Sequence, residues 1–192
     1  MSNCNPKFGP TQNPDLNLAS DSSSVRLPVE VISPSVVDSS SSQSPVLETV
    51  KTTVPPQKMP GPVVFSCPHS GRVYPADFIA NCAVTIEDLR GLEDFATDYL
   101  IAALPDLGIV TIHNIVARAY IDVNRERDEL DANMFSCANK ISVGQPTRLL
   151  SAGYGLLPRM TANRQLIHRH HLAPDEANQR INFAYKIGRA HV

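Results

Sequence analysis

The residue types best suited to chemistry fall into two short runs of this 192-residue chain. The first is Pro68-His69-Ser70-Gly71-Arg72, directly after the apolar stretch Val63-Val64-Phe65. An apolar run that stops abruptly at Pro, Ser and Gly reads as a buried strand leaving into a loop. Ligands in open α/β sheets gather beyond the carboxyl ends of strands, so the imidazole of His69 is placed to meet one. Gly71 would let that loop turn tightly beside the ligand. The second run is Arg118-Ala119-Tyr120-Ile121-Asp122-Val123-Asn124-Arg125. Here an alternating segment delivers Asp, Asn and Arg together at its end. A guanidinium offers a planar, two-pronged fork for a carboxylate, and the Asn amide adds a donor. Asp122 is suited to accept from Arg125 or from a metal-ligating His and so to fix its orientation. Each run also has a plainer reading. The first could be a surface loop, and the second a surface ion-pair cluster, since Glu126, Arg127, Asp128 and Glu129 follow at once.

The pattern around these runs becomes globular from Pro62 onward. Thr85 and Asp88 have capping-box spacing and open an expected helix over about 86–103. Its apolar positions Ile86, Leu89, Leu92, Ala96, Leu100 and Ala103 recur at intervals of three and four, and Pro105 and Gly108 stop it. Ile109–Ile112 and Ala119–Val123 are expected as the second and third strands. A last helix is expected from Pro174, with Asp175 and Glu176 at the positive end of its dipole. Strands alternating with helices predict an α/β fold with a largely parallel sheet.

Composition narrows the function classes. With 17 basic and 19 acidic residues the net charge is −2, which gives no field to hold nucleic acid or an anionic membrane. No stretch approaches the ~18 apolar residues of a bilayer span, and the opening MSNCNPKFGP lacks the features of a signal peptide. Cys4, Cys67, Cys82 and Cys137 have no short paired spacing and read as reduced thiols of a cytoplasmic protein. Residues 1–60 hold nine of the sixteen Pro and twelve Ser. They are expected to form a disordered arm, because so little apolar surface cannot offset the chain entropy.

Taken together, P-H-S-G-R-x-Y-P, E-D-x-x-x-D-x-L, R-x-Y-I-D-x-N-R and G-Y-G-L-L-P-R occur in order between Pro68 and Arg159. This series resembles the N-formylglutamate amidohydrolase family over about residues 62–185. The resemblance implies a zinc-dependent hydrolase with a carboxypeptidase-like (phosphorylase/hydrolase-like) α/β fold, incomplete here, with a mainly parallel sheet and flanking helices. It implies one zinc ion and a small-molecule N-acyl amino acid as substrate, with formate and glutamate as products in the usual case. His69 matches the first metal-binding His, and Asp94 is the second ligand that the match implies. Glu87, Asp94 and Asp98 also share the face opposite the apolar stripe, which is the pattern of a solvated helix face. Asp98 is expected to be structural. Asn124 and Arg125 match the clamp for the substrate carboxylate, and Arg118 is the residue that would bind or polarise a substrate oxygen.

The resemblance departs towards the end of the chain. A strand-end D-x-H-S motif with a further His ligand and a later general-base Glu are not found, so the chain is expected to be an inactive fragment. Lys186–Val192 resembles an in-frame translation of a sequencing adapter and is expected to be non-native. The expected organisation is a tail over 1–60, the first part of an amidohydrolase domain over 61–185, and the non-native end 186–192. His168, His170 and His171 are expected to form a solvated patch, His113 to sit at the core edge, and Cys67 to be a small buried side chain. The rival reading is a non-catalytic binding module whose Ser/Pro-rich arm recruits a partner.

Overall fold

The strand expected ahead of His69 forms as β3 (Val64–Cys67) and pairs in parallel with β5 (Val110–Asn114). The computed structural model describes residues 29–32, 50–54, 62–137 and 140–185. Within the expected disordered arm lie two further strands, β1 (Glu30–Ile32) and β2 (Val50–Thr53). Both are too short to pack alone, but each finds a partner ladder. β1 pairs in parallel with β4 (Val73–Pro75), and β2 pairs antiparallel with β5 from Val50 opposite Asn114 to Thr53 opposite Thr111. The result is a two-stranded parallel sheet and a three-stranded mixed sheet in the order β2-β5-β3. The rest of the arm and the closing residues 186–192 lie outside the described residues. Because β2 covers one edge of β5, deleting residues 1–58 should lower stability by about 2–3 kcal/mol, from a few ladder hydrogen bonds at ~1 kcal/mol each. That is a fall of several degrees in melting temperature, measurable by calorimetry. An unchanged melting temperature would show that the β2 ladder adds nothing.

Three sequence expectations need correction. Val64 and Phe65 are 54% and 41% exposed, so β3 is not the buried strand its composition suggested. Among the described residues its outer edge is unpaired. The capping box does form, with the Thr85 hydroxyl accepting from the Asp88 amide and the Asp88 carboxylate accepting from the Thr85 amide. The helix it opens, however, is only α2 (Ile86–Arg90), following the short α1 (Ala76–Ala80). Beyond Gly91 tertiary bonds compete with the helical ladder. The Glu93 carboxylate accepts from the buried Tyr74 hydroxyl at 2.8 Å, and the Asp94 amide donates to the His69 carbonyl at 3.0 Å. Ala96 then takes a left-handed φ of 58° before α3 (Thr97–Leu100) restarts the helix. The third correction is Ala119–Val123, which is no strand. All five residues are buried, and the Tyr120 and Ile121 amides bond to the Ala117 carbonyl and the Asp122 amide to the Leu156 carbonyl rather than to a neighbouring strand. Complete burial on every side, not alternation, is what this stretch encodes.

The core surrounds that buried segment. Tyr74, Phe78, Leu89, Ile121, Leu130, Leu156, Leu157, Ile167 and Ile181 are all essentially inaccessible. After α4 (Arg148–Ser151) the expected last helix appears as α5 (Pro174–Arg180), with Asp175 and Glu176 in its first turn, and it runs into a π-helical turn at Ile181–Tyr185. No helix among the described residues is long and apolar enough to cross a membrane.

Candidate active site

The loop after β3 is pinned before it reaches His69. Asn114, at the end of β5, donates through Nδ2 to the Pro68 carbonyl. Gly71 packs so closely on the chain leaving β5 that a Cβ there would lie 2.3 Å from the Val116 carbonyl oxygen. Gly71 is therefore required by this backbone approach, rather than by the ligand for which the sequence reserved it. The loop directs His69, 6% exposed, towards the buried turn at 118–125.

Asp122 is the hub of the site. Its Oδ1 is 2.7 Å from His69 Nε2 and accepts the Asn124 amide at 3.0 Å, while its Oδ2 accepts Arg118 Nε at 2.9 Å. Arg125 Nε lies 3.6 Å from the same Oδ2. Burial alone would raise the Asp122 carboxyl. The hydrogen bond and charge of His69, the charge of Arg118 and the Asn124 amide outweigh it, and the carboxyl sits below its ordinary range. A carboxylate can only accept, so Nε2 of His69 carries a proton towards Asp122, and Nδ1 lies on the other side of the ring.

Nδ1 faces a second carboxylate. Asp94 Oδ2 is 3.3 Å from His69 Nδ1, and Asp94 Oδ1 is 3.7 Å from Arg118 Nη1. The break in the expected helix delivers Asp94 here, since its amide hangs from the His69 carbonyl. Two tetrahedral zinc ligands at ~2.0–2.1 Å from the ion stand about 3.3–3.4 Å apart, so the pair fits as two donors. No set of three or more His, Cys, Asp or Glu among the described residues is arranged to hold a metal.

Of the candidates from the sequence, His69, Asp94, Arg118 and Arg125 converge with Asp122. Asn124 joins through its backbone amide, while its side chain is exposed. Asp98 stands apart, ion-paired with Arg72, which lies over the Tyr99 ring. Glu129, expected only as a member of a surface ion-pair cluster, is buried, with Oε1 3.8 Å from Arg125 Nη1, and accepts the Thr147 hydroxyl at 2.6 Å. The spacing of four from Arg125 was the available signal; nothing local announced Thr147. Cys67 and Cys82 are buried free thiols and Cys137 an exposed one. His170 and His171 are exposed, but His168 is not part of a solvated patch. Its ring packs edge-on to Phe78, and burial, with the Arg180 charge, lowers its pKa to about 4. His113 is half-buried, as a core-edge residue would be.

This mixed α/β chain gathers one His, two carboxylates and two guanidinium groups beyond the end of a parallel strand, where open α/β sheets place their ligands. The sequence profile of N-formylglutamate amidohydrolase matches residues 61–186. A crystal structure of N-formylglutamate amidohydrolase from Ralstonia eutropha JMP134 superposes with a TM-score of 0.65 at 31% identity, covering 74% of this chain and 50% of that one. No curated protein matches. The chain belongs to the N-formylglutamate amidohydrolase family, and it spans half the length of that structural relative.

Proposed function

We propose that this chain carries the substrate-clamping half of a zinc-dependent amidohydrolase site, built on a carboxypeptidase-like fold and directed at N-formylglutamate or a related N-acyl amino acid. The observation that carries the reading is His69 held between Asp122 and Asp94, with Nδ1 3.3 Å from the second carboxylate. His69 Nδ1 and Asp94 Oδ2 would hold the ion, and Asp122 fixes the imidazole's proton and orientation. A bound zinc ion would supply Lewis-acid polarisation of the amide carbonyl and acidify water. Arg125, with Asn124, recognises the substrate carboxylate. Arg118 neutralises both Asp94 and Asp122 and keeps one edge towards the substrate oxygen. In the net reaction water adds to the formyl carbon, the C–N bond breaks, and formate and glutamate leave. Two protein donors are fewer than the usual three of a catalytic zinc, so the complete site needs a further ligand, and this chain alone should be inactive.

The test is zinc binding followed by calorimetry on the wild type and His69→Ala. Removal of one of two donors should weaken zinc by about a hundredfold or more, beyond the ~10–100-fold of an outer-shell change. Folding, checked by circular dichroism, should remain, since the alanine fits the space. Zinc affinity unchanged in His69→Ala would sink the metal assignment.

A further inference from the structure

The fork of Arg125 is directed by charge at two of its nitrogens. Its Nε is buried without a hydrogen-bond partner, 3.6 Å from Asp122 Oδ2, and its Nη1 stands 3.8 Å from Glu129 Oε1. One carboxylate faces each nitrogen, and a planar group drawn at two points can swing little. Asp122 is itself fixed by His69, Arg118 and the Asn124 amide. Glu129 is buried and has anchors of its own. Its carbonyl accepts the Leu156 amide at 2.8 Å, and a Cβ on Gly155 would lie 2.5 Å from that carbonyl oxygen. Its carboxylate is held from the far side by Thr147, whose hydroxyl donates to Oε1 at 2.6 Å. The same hydroxyl accepts the Leu150 amide at 3.0 Å as the N-cap of α4, so its one proton goes to Glu129. A polar chain therefore runs from the start of α4 through Thr147 and Glu129 to the fork, and through Asp122 to His69.

We infer that Glu129, held by Thr147, is a positioning residue for the carboxylate clamp, aiming the Arg125 fork at the substrate through charge. The inference rests on the reading of Arg125 as that clamp. A pair that only stapled α4 to the core would alter stability but treat charged and neutral ligands alike. A positioning pair alters the preference for a carboxylate, because a two-pronged contact depends on the direction of the fork.

The experiment titrates the full chain with N-formyl-L-glutamate and with its α-carboxamide by calorimetry, up to about 10 mM, where a ligand with a Kd near 1 mM is nearly saturating. Wild type should prefer the carboxylate by about tenfold or more, as a charge-assisted contact requires. Glu129→Gln keeps the shape and an oxygen for the Thr147 hydroxyl but removes the charge facing Arg125. It should cut the preference to about threefold or less, within what a single neutral hydrogen bond gives. Thr147→Val, which has no proton to give, should lower the preference in the same direction, and Thr147→Ser should restore it. Thr147 is at an exposed position, so this pair decides the matter even where circular dichroism shows Glu129→Gln unfolded. Both ligands weakened equally in Glu129→Gln and Thr147→Val, with the preference kept, would make the pair a staple of α4 and overturn the inference while Arg125 remains the clamp. A wild type that binds the two ligands equally, or neither, would remove the clamp and the inference with it, and leave the zinc result with His69→Ala untouched.

Discussion

Asp122→Ala is expected to cost about 3–5 kcal/mol of folding stability, because it strips a buried carboxylate from the groups gathered around it. Only 2% of that side chain is exposed, and Arg118 and Arg125 are themselves mostly covered. Without Asp122, His69 Nε2 and Arg118 Nε lose their acceptor, and Arg125 Nε, already without a hydrogen bond, loses its nearest charge. Asp122→Asn keeps the volume and separates charge from shape. One amide edge must then face a donor, so a loss of about 2–3 kcal/mol is expected. Urea denaturation at neutral pH measures both. A loss under 1 kcal/mol for the alanine variant would mean that the hub contributes little beyond its volume.

The same carboxylate sets a pH signature. Its folded value lies below the ordinary range, so the unfolded chain takes up this proton first as the medium is acidified. Its contribution is whole above the ordinary carboxylate value near 4 and is lost as pH falls through the lower folded value. Asp122→Asn should therefore approach wild-type stability in strong acid. His168 acts in an earlier window. Buried and neutral with a pKa of about 4, it destabilises the fold progressively as pH falls from the ordinary histidine value near 6.5.

The sequence disclosed the site better than it disclosed the elements that carry it. His69 was legible because a polar loop follows an apolar run, and Asp122 because the D-x-N-R order places an acceptor beside a fork. Asp94 came from the family's motif, while periodicity misplaced it. The spacing of 86–103 satisfies a helix, but a hydrogen bond from the Asp94 amide to the His69 carbonyl, 25 residues earlier and outside any local pattern, ends it. Ala119–Val123 misled for the opposite reason, since a coil buried on all sides carries the same apolar residues as a strand. Short β1 and β2 were hidden by the Ser and Pro around them, and only their long-range partners β4 and β5 make them strands. Glu129 and Thr147 meet across 18 residues, a contact that no periodicity encodes.

Arg125→Lys should separate substrate recognition from metal binding. In the family's complete domain with this chain's residues in place, lysine keeps the positive charge near Asp122 and Glu129 but loses the two-pronged fork. A charge-assisted contact is worth about 1.5–3 kcal/mol, so kcat/KM for an N-formyl amino acid should fall by roughly ten- to a hundredfold or more. Zinc affinity should stay at the wild-type level, because Arg125 touches neither His69 nor Asp94 directly. The deciding control is the same substrate with its α-carboxylate converted to a neutral amide. Wild type should process that analogue poorly, and Arg125→Lys should add little further penalty, since the fork's partner is already gone. Equal penalties on the two substrates would show that Arg125 acts on something other than the carboxylate. Unchanged rates on both would reduce it to an ion pair supporting Asp122 and Glu129, whose geometry at 3.6 and 3.8 Å is loose enough to leave the guanidinium's outer edge for a ligand.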